Sequence, residues 1–130
     1  MLVYVRGAGD IATGIALRLH RCGMQVVMAD LAVPTSIRRT VCFSEAIRLG
    51  ETTVEDVRGV LCVDAAAVRE AVAAGDVAVV VDAEARMAPE LAPDVLVDAI
   101  LAKKNLGTTR GMAPVVIGVG PGFTAPVDVD

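Results

Sequence analysis

The sequence predicts an α/β fold, a doubly wound and mainly parallel sheet of five to six strands. Three observations lead there. Short runs of β-forming apolar residues alternate with stretches of helical periodicity along the chain. The clearest run, Val77-Ala78-Val79-Val80-Val81, is apolar on both faces, as a strand is when helices cover both sides of a parallel sheet. Asp30, Asp82, Asp98 and Gly118 each follow such a run. In a parallel sheet they gather beyond the carboxyl ends of the strands, where ligands bind in open α/β folds.

The first strand is Leu2-Val3-Tyr4-Val5, ending in Arg6-Gly7-Ala8-Gly9-Asp10-Ile11-Ala12. Ile11, Ile15 and Leu19 then recur at helical spacing with Ala12 and Ala16 beside them, and Gly23 stops the helix. Gln25 to Ala29 is the second strand, closed by Asp30. Strand, glycine turn, helix, strand and acid in this order describe a Rossmann-like dinucleotide-binding unit. Gly7 permits the tight turn, Gly9 lets backbone approach a pyrophosphate, and Ala12 allows close packing of helix on strand. The amides of Gly7, Ala8, Gly9, Asp10, Ile11 and Ala12 surround the positive end of the helix, which attracts phosphate. Asp30 lies roughly 20 residues on, where a carboxylate accepts a ribose diol. Asp10 brings a negative charge to the same place and also reads as the helix N-cap.

Further on, Leu31 to Thr40 is irregular, and Thr40 to Phe43 reads as a short strand. Ser44 caps a helical turn from Glu45 to Leu49, and a weak strand is placed at Val60 to Val63. Asp64 caps a helix from Ala65 to Ala74, with Val68, Ala71 and Val72 inward. Pro89 and Pro93 bracket a loop with a helical turn, Val95 to Val97 is a buried strand, Ala99 to Asn105 reads as helical with Asn105 as its C-cap, and Val115 to Ile117 is the last buried strand.

At 130 residues the chain fits one domain, residues 1–130. The residues are 55% hydrophobic but only 2% aromatic, so the core is built of small aliphatics that suit close helix-on-sheet packing. A net charge of −4 argues against nucleic acid or an anionic membrane as the main partner. No apolar run reaches the ~20 residues that span a bilayer, and the first residues lack a signal-peptide pattern. Cys22, Cys42 and Cys62 form no C-x-x-C, and read as reduced, mostly buried thiols of a cytoplasmic protein. Cys42 is the one to watch, since Arg38 and Arg39 nearby would lower its pKa.

Chemistry beyond binding is thin. His20 is the single histidine and reads as a surface residue; no metal site is assembled, and no base stands beside Ser36 or Ser44. No P-loop is present. The turn at Gly118, Gly120 and Gly122 exposes amides that could nest an anion. Arg38, Arg39, Asp98, Lys103, Lys104 and Asn105 complete the anion or substrate candidates; Lys103 and Lys104 alone read rather as solvated surface, and Arg38-Arg39 reads equally either way.

Several of these stretches resemble the accessory (maturation) proteins of the selenium-dependent molybdenum hydroxylase system. They are Val5 to Gly14, Ile37 to Val41, Phe43 to Ala46, Pro93 to Val95 with Asp98 to Thr108, and Met112 to Pro114 with Ile117 to Phe123. The resemblance implies an N-terminal, Rossmann-like portion of a longer architecture, and a part in maturing a molybdenum hydroxylase. The expected cofactor is NAD(P) or another nucleotide, a molybdopterin dinucleotide among them. The expected partners are that small molecule and a molybdenum hydroxylase, with homo-oligomers allowed. The competing readings are an NAD(P)-dependent oxidoreductase and a non-enzymatic dinucleotide sensor.

Overall fold

The computed structural model describes residues 1–130. It is an α/β fold whose seven strands form one sheet in the order β3-β4-β5-β2-β1-β6-β7. The strands are β1 (Leu2–Arg6), β2 (Gln25–Asp30), β3 (Glu51–Val54), β4 (Val57–Leu61), β5 (Val77–Val81), β6 (Val95–Asp98) and β7 (Val115–Gly118). The helices are α1 (Asp10–Arg21), α2 (Glu45–Leu49), α3 (Ala65–Ala73) and α4 (Ala88–Leu91). All neighbouring strands are parallel except β3 and β4.

Alternation along the central strands feeds two cores. Val3 and Val5 of β1, Val26 and Met28 of β2 and Val79 of β5 face Ala12, Ala16 and Leu17 of α1 and Phe43. Tyr4, Val27, Ala78 and Val80 face the other way, against Ala65, Val68, Ala71 and Val72 of α3 and Leu91 of α4. Strands buried on both sides must be apolar throughout, which is what makes Val77–Val81 a continuous run. With few aromatics, alanines set the helix–sheet distance. Phe43, fully buried, lies against Gly59, where a Cβ would come 2.5 Å from the ring.

Four expectations are corrected. The sheet has seven strands rather than five or six, because Glu51–Val54 and Val57–Leu61 form an antiparallel hairpin where one weak strand was placed at Val60 to Val63. Its two turn residues, Glu55 and Asp56, both sit at positive φ without a glycine, so the usual hairpin signal is missing. Thr40 to Phe43 is not a strand; Arg39–Val41 is a 3-10 turn that delivers Phe43 into the core. Ala99 to Asn105 is a loop, with Leu101 and Lys103 in left-handed conformation, incompatible with a helix. Asn105 therefore caps no helix: its amide group brackets Thr108, donating to the carbonyl and accepting from the N–H, both at 2.7 Å. Finally, β7 is a sheet edge rather than a buried strand, and Val115 and Ile117 are half exposed. The chain end folds back on it, with Asp130 N–H donating to the Val116 carbonyl.

The helix at Ala65 is capped as expected, Asp64 accepting from the amide of Ala67 at 2.8 Å. No helix is long and apolar enough to cross a membrane.

Candidate functional site

From β1 the chain builds one side of the sheet, with β2 next to β1, the β3–β4 hairpin at the far edge and β5 between them, and then crosses to add β6 and β7 on the other side. The loops after β1 and β6 therefore leave the sheet in opposite directions and open a crevice between them, the position where ligands enter open α/β sheets. A cavity of about 400 Å³ occupies that crevice. It is lined by Arg6 to Ala12 after β1, by Asp30, Leu31 and Ser36 after β2, by Asp82 to Glu84 after β5, and by Ala99 to Leu101 with Leu106 after β6.

The glycine turn is built as its residues dictate. Gly7 has φ +105°, and a Cβ there would stand 2.9 Å from the Ala99 carbonyl oxygen, so the turn after β1 presses directly on the loop after β6. Gly9 has φ −73°, and its nearest neighbour to a Cβ is Ser36 Oγ at 3.8 Å. Neither conformation nor packing asks for glycine there; the space above it belongs to the cavity. Gly9, not Asp10, is the N-cap of α1, and Asp10 turns its carboxylate to the amide of Ile11 at 2.9 Å. The amides of Gly9, Asp10 and Ala12 have no partner in the chain. These are bare donors at the start of a helix three turns long.

Asp30 stands at the rim as expected. One of its oxygens accepts from Ala8 N–H at 3.0 Å and the other from Leu31 N–H at 2.8 Å. Asp10, Asp30, Asp82 and Glu84 line the cavity against Arg6, so an anion bound there depends on backbone amides. Ile11, Leu31, Leu101 and Leu106 add half-exposed apolar surface.

A curated protein, the uncharacterized protein YqeB of Escherichia coli (strain K12), is 50% identical to this chain over 127 residues. The match takes in 98% of this chain but 24% of that protein, so the chain spans about a quarter of that relative's length. No family model matches the chain. No solved structure matches it.

Of the residues expected at the site, Gly7, Ala8, Gly9, Asp10, Ile11, Ala12 and Asp30 meet in the cavity. The others lie elsewhere. Arg38 reaches Asp10 from outside at 4.0 Å, and Arg39 lines a neighbouring cavity. Lys103 and Lys104 sit exposed on the loop after β6. Gly120 and Gly122 pack behind that loop: Cβ atoms on them would come 2.8 Å from Leu101 Cδ2 and 2.6 Å from Lys104 Cα. At Gly118 a Cβ would meet the Phe123 ring. The second glycine turn is thus a packing surface for the loop after β6, and its glycines do not line the cavity.

Asp98 lies beneath the cavity in a buried network with two residues that sequence reasoning missed. Arg6 is 3% exposed, Asp98 1% and Thr108 1%. Arg6 donates to Thr108 Oγ1 at 2.8 Å, and that hydroxyl donates to Asp98 at 2.6 Å. Arg6 also donates to the carbonyls of Ala83 and Leu106, tying the loops after β5 and β6 together, while its Nε has no partner. A lone arginine closing an apolar strand was the available signal. Asp82 accepts from Tyr4 Oη at 2.6 Å and from the amides of Arg86 and Met87. Burial, then that hydrogen bond, pushes the Tyr4 hydroxyl far above its ordinary pKa.

Cys42 corrects another expectation. Burial pushes its thiol up, outweighing the lowering effects of Ser36 and Arg38. Cys42 and Cys62 are buried and Cys22 is exposed.

Proposed function

We propose that the cavity binds a nucleotide, with a ribose diol against Asp30 and phosphate on the free amides at the start of α1, in a doubly wound, Rossmann-like fold. The observation that carries this reading is the position of the cavity. It opens where the strand order reverses, directly above a glycine turn whose second glycine is required by nothing in the protein itself. NAD(P) is the ligand class that fits first, and a molybdopterin dinucleotide uses the same contacts. Because four carboxylates line the site, affinity comes from the ribose and the apolar walls as much as from phosphate.

Binding without turnover is favoured over an oxidoreductase. The Tyr4 hydroxyl is buried and committed to Asp82, and His20, at the far end of α1, pairs with the Gly75 carbonyl at 2.8 Å. Neither offers a proton to the cavity. A part in maturing a selenium-dependent molybdenum hydroxylase rests on the sequence resemblance alone, and co-purification with such an enzyme is its test.

The test of binding is a dye-reported thermal shift against NAD, NADH, NADP, NADPH, ATP, CTP and a molybdopterin source. Ligand at about 100 times its Kd adds about 2.7 kcal/mol, enough to raise the midpoint by several degrees. A selective shift in the native chain that disappears in Gly9→Val is the expected result. A shift that survives Gly9→Val moves the site elsewhere.

A further inference from the structure

Beside the main cavity lies a smaller one of about 200 Å³. Ser36 lines both. The smaller cavity also holds Ser44, Arg39, Arg48 and Glu45. Its chemistry is opposite to that of its neighbour. Two guanidinium groups stand against one carboxylate, next to a cleft lined by four carboxylates and one committed arginine. Arg48 is paired to Glu45, whereas Arg39 makes no ion pair within the chain. Ser36 Oγ and Ser44 Oγ lie 2.8 Å apart. Two hydroxyls in mutual contact use one of their two protons on each other, and an incoming dianion is a stronger acceptor for the second than the neutral Cys42 thiol beside Ser36. Ser44 is buried, so that donor is held in place from behind.

We propose that this smaller cavity is a phosphate subsite for the ligand of the main one, and that the ligand carries a phosphate monoester on the ribose beside Asp30. The proposal rests on the nucleotide reading above. Asp30, Leu31 and Ser36 all line the main cavity, and Ser36 is shared with the smaller one, so a phosphate on a ribose beside Asp30 has Ser36 and the Arg39 cavity on the same side of the site. Arginine and hydroxyl donors are the groups that recognise a dianionic phosphate. The charge of Asp30 is partly offset by the amides of Ala8 and Leu31, one on each of its oxygens, and the arginine side of the smaller cavity outweighs what remains. A nucleotide of the NADP type is therefore preferred to one of the NAD type.

The experiment is calorimetric titration of the full 130-residue chain with adenosine 2′,5′-bisphosphate and with adenosine 5′-monophosphate. The expected result is that the bisphosphate binds at least about tenfold more tightly, the step that 1.4 kcal/mol represents. Arg39 is exposed, so Arg39→Ala leaves the core untouched, and it should bring the ratio of the two affinities close to one. Ser36→Ala should lower the ratio part of the way. Equal binding of the two ligands by the native chain overturns the subsite and leaves the nucleotide reading standing. A ratio that persists in Arg39→Ala also overturns it, by placing the phosphate elsewhere. Failure of both ligands to bind overturns the nucleotide reading and the subsite with it.

Discussion

The carboxylate of Asp30 accepts the amide of Ala8 at 3.0 Å, across the mouth of the first glycine turn. The protein's own anion thus holds one of the donors that a phosphate would use. Asp30→Ala should have two effects of opposite sign. NAD, whose ribose hydroxyls are both free, loses its ribose acceptor and binds about 1–3 kcal/mol more weakly. Inorganic pyrophosphate gains a free amide, loses a repelling charge and binds more tightly. Calorimetry with both ligands separates the two roles. Unchanged dinucleotide affinity removes the ribose role; weaker pyrophosphate binding removes the competition.

Gly7 and Gly9 stand two residues apart and serve different ends. Gly7→Ala places a side chain at φ +105° and 2.9 Å from the Ala99 oxygen. The left-handed backbone costs about 1–2 kcal/mol and the overpacking about 1–3 more. Gly9→Ala meets only Ser36 Oγ, at an ordinary contact distance of 3.8 Å, and keeps an ordinary φ, so its cost is that of a poorer N-cap, about 1 kcal/mol. Urea midpoints should fall much further for Gly7→Ala, whereas Gly9→Ala should chiefly reduce nucleotide affinity. Equal losses of stability would mean that both glycines serve the fold alone.

Residues that act through local pattern were legible before the structure. The alternation of apolar runs placed β1, β2, β5 and β6, and Asp64 announced α3. The first glycine turn was placed where β1 meets α1 because Gly7 has a local conformational task, although Gly9 and not Asp10 caps the helix. What stayed hidden depends on contacts far along the chain. Gly122 looks like an anion nest in sequence but exists to clear Lys104. Arg6 and Thr108 are 102 residues apart and join only when β6 inserts beside β1. The hairpin at Glu55 and Asp56 carries no turn signature, since its stability comes from packing on β5 and α2 rather than from its turn residues.

Thr108 shares its hydroxyl between Arg6 and Asp98, accepting from one and donating to the other. Thr108→Val keeps the shape and removes both bonds, leaving two buried charges 3.9 Å apart with no bridge. An unsatisfied buried donor or acceptor costs about 1–3 kcal/mol, and more when charged. The urea midpoint should drop accordingly, and hydrogen exchange should speed up in the loop from Ala99 to Leu106. Exchange confined to β7 would place the role of this network elsewhere.

The thiols give a prediction about alkaline pH. Burial raises the pKa of Cys42 and Cys62, and of the Tyr4 hydroxyl. A group whose folded pKa lies above its unfolded value contributes stability that is full below the unfolded pKa and lost as pH rises towards the folded one. The unfolded thiol value is about 8.5 and the phenol about 10. Stability should therefore be nearly flat through neutral pH and decline above about pH 9, the unfolded chain ionising first. Cys62→Ala should flatten that decline even though its cavity lowers the plateau, because slope and height have separate causes. At neutral pH a thiol reagent should modify Cys22 quickly, while Cys42 and Cys62, buried and protonated, should react only on unfolding. Rapid modification of Cys42 in the native protein would mean that the loop carrying Arg38 and Arg39 opens readily, and with it the wall that Ser36 provides to both cavities.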